Sequence, residues 1–129
     1  MKILLHGAEN HELKGRLKTQ IQDVFPQGEL VLTHAPGDLT DALCRPLHNI
    51  SVLIAFITDS KSIDMLFPLK PLLENVKLIL IFCQQVEDVQ KSVLRLEPLY
   101  AGCFEDDFQD IISVLQRIEH KRMAARQSV

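Results

Sequence analysis

The sequence predicts one α/β domain built on a five-stranded parallel sheet with helices on both faces. Three observations carry this expectation. Five short apolar runs recur along the 129 residues: "KILLH", "ELVLTHA", "SVLIAFIT", "KLILIFC" and "LYAGCF". The third and fourth are apolar at nearly every position, as strands covered on both faces are, and lack the alternation of a half-wet strand. Longer amphipathic segments separate the runs, so strand and helix alternate, which implies parallel strands joined by right-handed crossovers.

Each element follows from its own residues. After the first strand, Leu13, Leu17, Ile21 and Val24 mark one face of a helix. After the second, "PGD" opens a helix whose inward positions are Leu39, Ala42 and Leu43. The third connection, "DSKSIDMLFPLKPLLEN", carries Pro68 and Pro71, each lacking an amide donor, so a broken helix is expected there. Val86, Val89, Val93 and Leu94 mark the fourth helix, with Pro98 beyond its end. The last helix has the stripe Phe108, Ile111, Ile112, Leu115 and Ile118. Its start holds Glu105, Asp106, Asp107 and Asp110, acids placed where the helix dipole favours them.

The dinucleotide fingerprint G-x-G-x-x-G is missing after the first strand, where the chain reads "HGAENHE". That favours a flavodoxin-like three-layer α/β/α sandwich, strand order 2-1-3-4-5, over half of a Rossmann fold. The expected division is a domain over 1–122 and a flexible tail over 123–129. Ligands of such sheets approach the carboxyl ends of the strands, so candidate residues are sought there.

Composition excludes several classes. A net charge of −3 and a pI near 5.9 leave no footprint for nucleic acid or an anionic membrane. The locally basic "HKRMAARQSV" reads as a helix end and tail. Cys44, Cys83 and Cys103 are scattered and odd in number, which fits a reducing, cytoplasmic setting and speaks against a disulfide framework or zinc site. Cys44 and Cys103 read as small buried hydrophobes. The N-terminal run is too short for a signal peptide, and no apolar run approaches ~20 residues.

In length, strand spacing and final helix, almost the whole chain resembles the CheY-like receiver domains of two-component response regulators. The resemblance implies an acidic pair after strand one, a phosphoacceptor aspartate ending strand three, a hydroxyl after strand four and a lysine after strand five. The acids hold magnesium, which prefers hard oxygen ligands; hydroxyl and ammonium neutralise the transferred phosphoryl charge. Matched position by position, Gly7 and Ala8 fall on the acids, Phe56 on the nucleophile, Phe82 on the hydroxyl and Cys103 near the lysine. No lysine lies between Lys91 and Lys121. The expectation is a degenerate pseudo-receiver, not an enzyme, with no cofactor and no metal, working through contacts with a protein partner. A still-active arrangement, with Glu9 and Asp59 serving as the acids, would need a cation from another chain.

A second reading, from another class, is a small-molecule or metal-binding domain that uses the strand ends. His6, Glu9, His34 and Asp59, expected to converge with Cys83 at the carboxyl edge, are its candidates. Their spacing matches no metal motif, and Asp59 before "SKSID" reads first as a helix cap. Phosphohistidine at His6 or phosphocysteine at Cys83 lacks a glycine loop to cradle the anion. For partner contacts, the resemblance points to the region of the fourth helix, fifth strand and fifth helix, with Arg95, Leu99 and Tyr100, and to a homodimer through the last helices as one form. Tyr and Arg are enriched at interface hot spots.

Overall fold

The structure, a computed structural model, describes residues 1–7, 12–82, 90–103 and 108–127. The elements are β1 (Lys2–His6), α1 (Glu12–Val24), β2 (Glu29–Thr33), α2 (Pro36–Cys44), β3 (Val52–Ile57), α3 (Ser60–Asp64), a 3-10 segment (Phe67–Leu73), β4 (Lys77–Phe82), α4 (Gln90–Leu96), β5 (Tyr100–Cys103) and α5 (Gln109–Gln127). All strand pairs are parallel and the order is β2-β1-β3-β4-β5, as expected.

Successive side chains of a strand point to opposite faces, and here both faces are apolar. All six residues of β3 are buried. Leu53, Ala55 and Ile57 meet Leu39 and Leu43 of α2, Ile63 of α3 and Leu96 of α4. Val52, Ile54 and Phe56 face the other way, toward Leu17 and Ile21 of α1 and Phe108, Ile111, Ile112 and Leu115 of α5. Each large aliphatic side chain so buried contributes about 1.5–3 kcal/mol relative to an exposed one. These two apolar layers hold the sheet between its helices, and they leave its carboxyl edge as the place where polar groups gather.

The third connection breaks as the prolines require. Asp59 caps α3, and the chain then tightens into the 3-10 segment, with Pro68 at its start and Pro71 inside. Neither proline can donate a helical amide bond. Two expectations are corrected. Val24 and Leu94 are exposed, because α1 meets the core through Leu17 and Ile21, and α4 through Val93 and Leu96. Cys44 is exposed at the end of α2, not a buried hydrophobe. Helix α5 runs through Gln127. Val86, Val89, Cys83, Phe104 and the acids Glu105, Asp106 and Asp107 lie outside the described residues.

Candidate functional site

His6 and Thr33 end β1 and β2 and are cross-strand partners. Their side chains meet at the carboxyl edge, His6 Nδ1 lying 2.8 Å from Thr33 Oγ1. Helix α1 delivers a third group. Lys14 stands three and seven residues before Leu17 and Ile21, on the stripe that faces the sheet, and only 4% of it is exposed. Its ammonium donates to the Thr33 carbonyl at 2.6 Å and to His34 Nδ1 at 3.0 Å, with the Gly7 carbonyl at 3.5 Å. An ammonium has no acceptor, so Lys14 is the donor in its contact with His34. A buried lysine is costly unless its donors are satisfied, and these acceptors satisfy them.

The same enclosure acts on His6, which is 6% exposed. Burial pushes its pKa down from 6.5 to about 4; the positive charge of Lys14 and then His34 push the same way, with Asp38 opposing. His6 is therefore a neutral imidazole at neutral pH. The cluster is a caged cation beside a neutral ring and a hydroxyl, with His34 at its exposed margin.

Asp59 belongs to a different local structure. Its Oδ1 accepts from the Ser62 amide at 2.9 Å and the Ser62 hydroxyl at 3.0 Å. Those bonds, the backbone one first, hold its carboxyl below the ordinary carboxylate range. The Ser62 hydroxyl also lies 3.3 Å from Thr58 Oγ1. Asp59 is thus the N-cap of α3. Glu9 lies outside the described residues. Among the described residues no group of three or more His, Cys, Asp or Glu side chains is disposed to hold a metal ion.

Of the positions matched to receiver chemistry, Phe56 and Phe82 carry only carbon, while Ala8 and the Cys103 side chain lie outside the described residues. Phe56 is 3% exposed and packs with the α1–α5 layer. A Cβ added to Gly7 would stand 3.1 Å from the Phe56 Cβ, so no longer side chain fits there without displacement. Phe82 packs against the opposite layer. The described atoms thus offer neither a nucleophilic carboxylate nor a hydroxyl at those points.

The three residues read as a partner surface separate. Leu99, half exposed, lines a groove beside α4, Arg95 lines an adjoining hollow, and the Arg95 carbonyl accepts Lys70 Nζ at 2.6 Å. Tyr100 turns to the opposite layer. Its hydroxyl lies so close to Gly102 that a Cβ there would meet it at 2.9 Å. Lys14 and Thr33 are what the sequence reading missed. The signal for Lys14 was its spacing from Leu17 and Ile21; Thr33 had none beyond its place at a strand end.

No family model matches the chain, and no curated protein matches it. Solved structures do, and they show its fold: the chain has a CheY-like receiver fold. One is a signal receiver domain of a modulated diguanylate cyclase from Desulfovibrio desulfuricans G20. It has a TM-score of 0.65 and 12% identity, and the match covers 95% of this chain and 97% of that one. Another is a CpaE2 pilus assembly protein from Sinorhizobium meliloti 1021, with a TM-score of 0.63, 11% identity, and coverage of 92% and 99%. Among the described residues no helix is long and apolar enough to cross a membrane.

Proposed function

We propose that this chain is a receiver-like signalling module that acts through protein contacts and takes up no phosphoryl group. One observation supports the reading: Phe56, the residue matched to the acceptor aspartate, is buried and packed over Gly7, which is matched to the acidic pair. A phosphoryl transfer needs a nucleophile and charge stabilisation, and a benzene ring supplies neither. The caged ammonium of Lys14 adds to this, since a divalent cation approaching the Gly7 carbonyl would meet a positive charge.

The test is incubation with magnesium and acetyl phosphate, or with beryllofluoride, followed by intact mass and amide chemical shifts. Unchanged mass and spectra are expected. Stoichiometric phosphorylation would sink the reading.

A second reading, a small-molecule site at the same edge, is favoured by the convergence of His6, Lys14 and His34. A ligand that binds only the folded state raises its melting temperature. This reading expects a thermal shift with small polar ligands or metal ions that is lost in His6→Ala; no shift with any of them speaks against it.

A further inference from the structure

The amino edge of the sheet, opposite the polar cluster, carries a projection and a hollow side by side. The projection is the turn between α2 and β3. Leu47 there is 90% exposed and has φ of 57°, and Asn49 two residues on has φ of 58°. Asparagine tolerates the left-handed region, but leucine does not adopt it without strain. The turn is nonetheless braced, because the Ile50 amide donates to His48 Nδ1 at 2.9 Å. A large apolar side chain is therefore held out into water on a strained backbone, and no described residue covers it. Held strain of this kind is concentrated at functional positions.

The hollow is a groove of about 890 Å³ between the 3-10 segment and α4. Phe67, Leu73, Val76, Leu78, Leu96 and Leu99 supply its apolar lining. Glu74, Glu97 and Lys77 add charge to it, and Lys70, which also lines it, is drawn to the Arg95 carbonyl across the gap. Glu97 at its rim is a third residue with positive φ, 51°. Arg45, two residues before Leu47, brings a cation that the acids Glu74 and Glu97 complement.

The two features adjoin. The turn runs into Ser51, whose carbonyl accepts the amide of Lys77 at 2.9 Å, and Lys77 lines the groove. When a projection and its complementary hollow lie next to each other on one edge, a two-fold axis through that edge serves both at once. Each Leu47 then faces the other chain's groove, and the contact closes at two copies.

We propose that the chain forms a reciprocal homodimer through its amino edge, with Leu47 of each copy seated in the groove beside Leu99 of the other. The proposal rests on the protein-contact reading above and names a second copy of this chain as the partner. It differs from a dimer through the last helices. Its test is independent of phosphorylation, so either can fail alone.

The experiment is sedimentation of the full chain from low micromolar to near-millimolar concentration. Wild type is expected to shift from monomer to dimer. Leu47→Asp and Leu99→Asp should each weaken the dimer about tenfold or more, as loss of a central anchor does. Leu47→Gly should weaken it too while raising the melting temperature of the monomer, since glycine accepts the positive φ. Mixing the Leu47→Asp and Leu99→Asp chains restores one intact leucine-in-groove contact, so the mixture should dimerise more strongly than either variant alone. A monomer throughout the range would leave the groove to some other occupant and overturn the proposal. So would a dimer indifferent to Leu47→Asp, or a mixture no stronger than its parts.

Discussion

Phe56 lies across Gly7: a Cβ carbon on Gly7 would stand 3.1 Å from the Phe56 Cβ and 3.2 Å from its ring. The two residues are locked into one apolar contact. The phenyl side chain fills the room beside Gly7.

Gly7→Ala should therefore destabilise the protein by about 1–3 kcal/mol, the usual cost of overpacking a tight site. In a Phe56→Ala background the cost should shrink without vanishing, since the ring contacts go and the Cβ contact stays. Urea unfolding of the four proteins of that cycle measures both terms. An additive pair would show that Gly7 and Phe56 do not touch.

Lys14→Met should raise the pKa of His6. The positive charge of Lys14 is the second cause of its depression, after burial, so the value should climb from about 4 without reaching 6.5. Imidazole 15N shifts across a pH titration report it directly. Lys14→Ala should also cost stability through the lost donor to the Thr33 carbonyl and the void along the lysine stem.

His6 makes folding pH-dependent in a defined window. Its folded pKa of about 4 is below the ordinary 6.5, so from pH 6.5 downward the unfolded chain takes up a proton that the folded chain refuses. Stability is full above pH 6.5 and falls as the pH drops toward 4, by on the order of 3 kcal/mol for a shift of this size. His6→Leu should flatten the curve over that interval. Chemical denaturation at a series of pH values gives the slope, and an unchanged slope in the variant would place the effect elsewhere.

Asp59→Ala should lower the melting temperature, because the first turn of α3 loses its acceptor for the Ser62 amide. Asp59→Ser, which retains a capping oxygen, should recover most of it. Equal losses in the two variants would mean that Asp59 does something other than cap.

Much of this molecule was legible in one dimension. The unbroken apolar runs of β3 and β4, with Leu39, Leu43 and the Phe108–Leu115 stripe, need only the periods of strand and helix to be placed. Pro68 and Pro71 announce the broken third connection for an equally local reason. Asp59 as a cap was readable from its place before "SKSID". Lys14 was not, because a lysine in "HELKGRLK" reads as solvated surface unless its acceptors are known. Those acceptors, Thr33 and His34, are about twenty residues away on another strand end. Tyr100 and Leu99 are neighbours in sequence, yet the pleat sends Tyr100 into one layer while Leu99 borders a groove at the sheet's amino edge.

Local pattern alone determined the strands and the layers of helices, since backbone geometry and the burial of apolar side chains act over a few residues at a time; the strand order followed from the crossover rule and the missing dinucleotide fingerprint. The tertiary structure decided which polar groups meet. The caged ammonium of Lys14, the neutral ring of His6, and the adjoining Leu47 turn and groove all depend on segments far apart in the chain. Contacts of that kind have no period to read, and their energies exist only once burial has stripped the water from them.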